Sequence, residues 1–141
     1  MTTPRTTFLA DDLRGLDGYK LLTGLVVPRP IGWIGSISTD GISNLAPYSF
    51  FNAVSGDPPT VMFSAGYGSG TRKDTASNVK ATGEFTVNIV SMSTVDAMNT
   101  TAASLPADDD EFVHAGLTAI DSELVAPKRV AEAVAHFECR L

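Results

Sequence analysis

The ten residues Gly66-Tyr67-Gly68-Ser69-Gly70-Thr71-Arg72-Lys73-Asp74-Thr75 collect the groups that hold an anion. Glycines free backbone N–H donors, Ser69, Thr71 and Thr75 add hydroxyls, and Arg72 and Lys73 add positive charge. Asp74 or Thr75 is also a helix-capping residue type, so a helix N-terminus, with its unpaired N–H groups and positive dipole end, would stand behind the loop. A phosphate monoester suits that set. The same residues also compose an ordinary solvated turn with a helix cap, and both readings stay open. The glycine spacing fits neither the dinucleotide fingerprint nor a Walker loop.

Acid–base and nucleophilic groups are scarce. His114 and His136 are the only histidines, and neither stands in a triad-like context, so each reads as a surface or core-edge side chain. Cys139 falls within an apparent strand and reads as a small buried hydrophobe. Asp108-Asp109-Asp110-Glu111 reads as an exposed helix start rather than a metal site, because acids favour the positive end of the helix dipole. If the chain is an enzyme, a cofactor carries the chemistry.

These groups need a scaffold, and the periodicity predicts one made of strands. Ile31, Trp33 and Ile37 fall on alternate positions, which predicts a strand with one apolar face. Thr39-Asp40-Gly41 carries a turn signal, and Asn44 to Asn52 extends again, which predicts a hairpin. Pro47 cannot donate to a ladder and places the second arm at a sheet edge or bulge. Val54 to Pro59 reads as a loop because two prolines in series fix the backbone, and Thr60 to Ala65 as a third strand. A helix is expected from Asp74 or Thr75 to about Ala81, stopped by Gly83. Phe85, Val87 and Ile89 alternate with Thr86 and Asn88 as a fourth strand with one buried face, and Ser93 to Ala103 reads as helical. Phe112 and Leu117 seat the following segment, Val125 to Ala135 reads as loop or weak helix, and Ala135 to Leu141 as a last strand. Residues 1–18 read as an arm, with a short helix or turn within Tyr19 to Val27.

The totals set bounds. At 141 residues and 43% hydrophobic, the chain suffices for one domain with a core. A net charge of −6 with no basic stripe argues against nucleic-acid binding. One cysteine excludes an internal disulfide, and together with the absence of an apolar leader or a run of about 18 apolar residues it suits a cytoplasmic protein with no membrane span.

Six blocks, in order, carry a resemblance: Pro28-Arg29-Pro30-Ile31-Gly32-Trp33-Ile34, Asn44 to Asn52, Asp57-Pro58-Pro59, Arg72-Lys73-Asp74-Thr75, Gly83 to Asn88, and Glu111-Phe112 with Ala115-Gly116-Leu117. From about Tyr19 to Leu141 the chain resembles the flavin reductase-like, FMN-binding split-barrel proteins, the flavoredoxin-like branch above all. The resemblance implies a mainly β, Greek-key split barrel with short flanking helices, dimeric, with FMN near the subunit interface. It implies that Ser49, Phe50 and Asn52 lie along the flavin and ribityl chain with Ser64 nearby, that Arg72, Lys73 and Thr75 meet the phosphate, and that Arg29 and Pro30 border the same pocket. Trp33 reads as core rather than as a stacking partner. The family's chain is longer, which implies that residues 19–141 lack the last strands of the barrel. The implied activity is hydride transfer from NADH or NADPH to flavin, with a monooxygenase or electron-transfer protein as a further partner. An electron-transfer flavoprotein reduced by a protein partner, and a split-barrel module without cofactor, are the alternatives.

Overall fold

The computed structural model describes residues 5–13, 16–68, 71–106 and 109–141; the side chains of 16, 67, 68, 71 and 72 lie outside the description. Its centre is a four-stranded antiparallel sheet in the order β10-β7-β1-β2, formed by β1 (Gly32–Ile37), β2 (Ser43–Tyr48), β7 (Glu84–Ile89) and β10 (His136–Arg140). Three two-stranded ribbons surround it: β3 (Phe51–Gly56) with β4 (Pro59–Phe63), β5 (Tyr67–Gly68) with β6 (Thr71–Arg72), and β8 (Ala119–Ile120) with β9 (Arg129–Val130). The helices are α1 (Leu16–Leu25), α2 (Asp74–Thr82), α3 (Val95–Thr100) and α4 (Glu111–His114), with a short 3-10 turn at Ala10–Asp12.

The sheet is covered on both sides, which sequence periodicity did not anticipate. Trp33 and Ile34 are adjacent on β1, point to opposite faces, and are both fully buried. Trp33 and Leu45 pack with Met98, Phe112, Val130 and Ala133 on one side; Ile34 and Tyr48 pack with Val79, Phe85 and Val87 on the other. A strand covered twice shows no polar face, so the expected single apolar face of β1 is corrected to two. The same correction applies to β7, where Thr86 and Asn88 are fully buried opposite Phe85 and Val87. Asn88 meets that burial by donating from Nδ2 to Trp33 O at 3.1 Å and accepting from Val130 N at 2.8 Å.

Glycine at position 35 is a requirement of packing. A Cβ there would meet Thr86 Oγ1 and come within 2.7 Å of the Lys128 carbonyl oxygen, so the 121–128 segment closes over the sheet only because that side chain is absent. Thr86 Oγ1 donates to the same carbonyl at 2.8 Å.

Several boundaries differ from expectation. The second hairpin arm does not run through to Asn52: the chain bends at Ser49-Phe50, and β3 then extends to Gly56, where a loop was expected. Only Asp57-Pro58 makes the turn, because Pro59 can open a strand whose N–H is not needed. The edge position inferred from Pro47 holds, since β2 is the outer strand and Pro47 faces Trp33 in register. α2 ends at Gly83 as expected, in the left-handed conformation at φ 74°. Its N-cap residue is Lys73, not Asp74 or Thr75. The helix expected from Ser93 to Ala103 is shorter, Val95–Thr100.

Candidate functional site

β2 and α2 build the site together. Alternation along β2 turns Asn44, Ala46 and Tyr48 towards α2, while Leu45 turns to the opposite core. A cavity of about 340 Å³ opens between them, lined on that side by Asn44, Pro47, Tyr48, Lys73, Asp74 and Thr75. Thr101 to Leu105 and Glu111 form the facing wall.

The electrostatics of the cavity are divided. Lys73, the N-cap residue of α2, makes no side-chain cap hydrogen bond, so among the described residues the first-turn N–H groups beside the cavity have no side-chain acceptor. Lys73, the N-cap residue, places Nζ 5.9 Å from the centre of the Tyr48 ring, within cation–π range. Two independent sources of positive potential therefore share one corner. Glu111 supplies the opposite sign. It is 9% exposed, and its carboxylate accepts from Leu45 N at 3.1 Å. Burial pushes the Glu111 carboxyl above its usual range against the pull of the Leu45 N–H, and Asp110 and Asp74 push the same way. The expected exposed helix start is thus half right: Asp110 caps α4 by accepting from Phe112 N at 2.8 Å, but Glu111 turns inward to satisfy a donor on the sheet's free edge.

Beneath the cavity runs a buried polar chain. Asn44 Nδ2 donates to Thr75 Oγ1 at 2.8 Å and to Ser36 Oγ at 3.3 Å, and Asn78 Nδ2 reaches the same serine at 3.3 Å. Next to it the Tyr48 hydroxyl is buried without a hydrogen-bond partner among the described residues, and burial raises its pKa, opposed by the neighbouring Thr75 hydroxyl.

The residues named from sequence fall into two groups. Lys73 and Thr75 line the cavity, with Thr75 turned inward and only 1% exposed. The Arg72 side chain, like Ser69 and Gly70, lies outside the described residues. Ser49 and Phe50 form the bend that follows Tyr48, and Phe50 O accepts from Ser64 N at 2.8 Å, which joins those two positions across the β3–β4 mouth. The Phe50 ring lies 6.1 Å from that of Tyr19 on α1. Asn52 is exposed, and its side-chain oxygen accepts from Ala53 N at 2.9 Å. Arg29 closes the C-terminal end of α1, donating from Nη1 to Thr23 O at 2.6 Å and Val26 O at 2.7 Å, with Pro30 exposed beside it. Lys73 and the bend at Ser49 share one side of the molecule, because Lys73 stacks on the residue before Ser49. Arg29, Pro30, Ser49, Phe50, Asn52 and Ser64 do not line the cavity.

Sequence reasoning gave Asn44, Tyr48 and Glu111 no role at the site, although all three stand in blocks that carry the resemblance. The period-two spacing of Asn44, Ala46 and Tyr48 was the available signal for the first two; Glu111 offered none, since a burial set by a distant strand leaves no local mark. His136 sits at the core edge and donates from Nε2 to Val130 O at 2.8 Å; His114 is exposed. Cys139 is half-buried, and burial raises its thiol pKa, as befits an apolar rather than a nucleophilic role.

Comparison with known proteins gives this geometry a family. Residues 24–141 match the model of the flavin reductase like domain. An uncharacterised protein of Aquifex aeolicus (strain VF5) is 47% identical over 135 residues, a match spanning 95% of this chain and 69% of that protein. Uncharacterized protein YwrF of Bacillus subtilis (strain 168) is 42% identical over 134 residues, spanning 95% of this chain and 65% of its own length. Among solved structures, nitrilotriacetate monooxygenase component B from Bacillus cereus superposes with a TM-score of 0.94 at 40% identity, covering 99% of this chain and 69% of that one. Flavoredoxin of Desulfovibrio vulgaris (Miyazaki F) shares the fold, with a TM-score of 0.74 at 22% identity, over 83% of this chain and 62% of its own. The chain thus spans about two thirds of the proteins it matches, and its sheet, ribbons and short helices are those of a split barrel. By domain match, sequence identity and fold alike, the chain belongs to the flavin reductase-like family.

Proposed function

We propose that the chain binds FMN and serves as an oxidoreductase that takes a hydride from NADH or NADPH. The observation that carries the reading is the corner where Lys73, stacked on Tyr48, meets the first turn of α2, whose N-cap residue makes no side-chain cap hydrogen bond. That corner suits a phosphate monoester: an exposed cation, a helix N-terminus and an inward hydroxyl at Thr75 fit its charge and its several acceptors. Arg72 belongs to the same reading as a second cation. From there the bend at Ser49-Phe50 and the adjoining Ser64 and Asn52 offer backbone and side-chain donors to the polar rim of a ring, with Arg29 and Pro30 at the far border. FMN, when bound, supplies the redox chemistry; the protein's part is to orient it and keep its phosphate anchored.

Partners follow from the same reading. Exposed Leu22, Leu25, Val26, Val27, Val54 and Met62 offer apolar surface to a second copy, which supports a homodimer. The likeness to a monooxygenase component supports delivery of reduced flavin to an oxygenase.

The test is direct. Titration of the purified chain with FMN should quench flavin fluorescence and perturb its oxidised spectrum, and anaerobic NADH or NADPH should bleach it. Binding without bleaching would leave an electron-transfer flavoprotein served by a protein partner. No binding would leave a module without cofactor.

A further inference from the structure

The buried chain under the anion corner has a direction. Asn44 Nδ2 can only donate, so the Thr75 hydroxyl is the acceptor in their 2.8 Å bond. A hydroxyl carries one proton, and with that bond made from below, the proton of Thr75 is left for an acceptor elsewhere. Two acceptor sites lie beside it: the neighbouring Tyr48 oxygen, buried and without a partner among the described residues, and the cavity that Thr75 lines. Asn44 is itself fixed, 8% exposed and held by Ser36, which is 1% exposed. The bond therefore sets which way a group on the first turn of α2 can donate, with no contact needed between Asn44 and any ligand.

We propose that Asn44 is a positioning residue of the anion site: its side-chain amide holds the Thr75 hydroxyl so that its proton, and the first turn of α2 with it, is presented to a bound phosphate. The inference rests on the phosphate-binding reading above and adds to it a residue that acts through another. An oriented donor is worth more to a dianion than a freely turning one, because the cost of ordering it is met before binding.

The experiment compares FMN with riboflavin, which lacks the phosphate, by fluorescence titration of the full chain. Asn44→Leu, similar in volume but without the amide, should weaken FMN about 5- to 20-fold and leave riboflavin within about 2-fold, the scale of one charge-assisted hydrogen bond. In a Thr75→Val background the same change should weaken FMN no further, since the group it positions is gone. Should Asn44→Leu fail to fold, Ser36→Ala loosens Asn44 from below without altering the cavity lining, and a selective loss of FMN affinity of 2-fold or more is expected. Equal weakening of both flavins, an undiminished effect in the Thr75→Val background, or no FMN loss in Ser36→Ala would each overturn the positioning role. Wild-type protein that binds FMN no better than riboflavin would remove the phosphate reading itself, and the inference with it.

Discussion

The indole N–H of Trp33 donates to the Thr101 hydroxyl at 2.9 Å, and both residues are sealed from water. Thr101 passes its own proton to Met98 O at 2.8 Å and also lines the cavity. One hydrogen bond thus couples the middle of the sheet to the end of α3 and to the wall of the site. Its worth lies less in the bond than in what its loss would strand, a buried donor with nowhere to turn.

Thr101→Val should cost about 1 to 3 kcal/mol of stability, the range for a buried group left unpaired. Urea unfolding measures it, and the chain's single tryptophan supplies the signal. A loss below about 0.5 kcal/mol would mean that the indole finds another acceptor.

Gly35→Ala should destabilise the fold by about 1 to 3 kcal/mol, because the added methyl would press on the Lys128 carbonyl 2.7 Å away. Thermal unfolding of this variant beside Gly41→Ala separates crowding from backbone strain. Gly41 has a positive φ of 85° but open space around its missing side chain.

Glu111 predicts a pH dependence with a definite sign. Its folded pKa is raised above the ordinary 4.5, so its contribution is fully favourable below that value and is lost as pH climbs through the folded pKa. Glu111→Gln keeps an acceptor for Leu45 N and removes the charge. Its stability relative to wild type should therefore rise between pH 4 and pH 7, in paired denaturation curves. A stability of Glu111→Gln relative to wild type that stays constant or falls between pH 4 and pH 7 would refute the assignment.

Lys73→Ala should weaken FMN by about 1 to 2 kcal/mol, and the double variant with Arg72→Ala by about 2 to 4, on the scale of charge-assisted hydrogen bonds. Riboflavin should be nearly indifferent to both, and the FMN loss should shrink in high salt. Unchanged FMN affinity in the double variant would remove the phosphate assignment.

Sequence reasoning reached what local chemistry writes locally. Gly83 as a helix stop, Pro47 as an edge marker, Trp33 as core and the strand around Phe85 to Ile89 are each set by near neighbours or by side-chain size. It failed where the deciding partner is distant. The second face of β1 is covered by α2 and the β3–β4 ribbon, so Gly32 and Ser36 looked like a polar side and are buried. Glu111 looked like one more surface acid, and only the Leu45 N–H, far away in sequence, explains its burial. The resemblance supplied the family and the order of the blocks; the direction of the Asn44–Thr75 bond needed coordinates.

The Leu45–Glu111 bond also governs how the molecule meets others of its kind. Leu45 and Pro47 stand at alternate positions on the free side of β2, and neither offers a hydrogen to a newcomer: one is already engaged by a carboxylate, the other has none to give. A foreign strand laid along that rim would find no free N–H for its own carbonyls at these two positions and a buried acid in its way. The margin nearest the corner of Lys73 and Tyr48 is thereby guarded against edge-to-edge aggregation, and proton uptake by Glu111 in acid would weaken that guard.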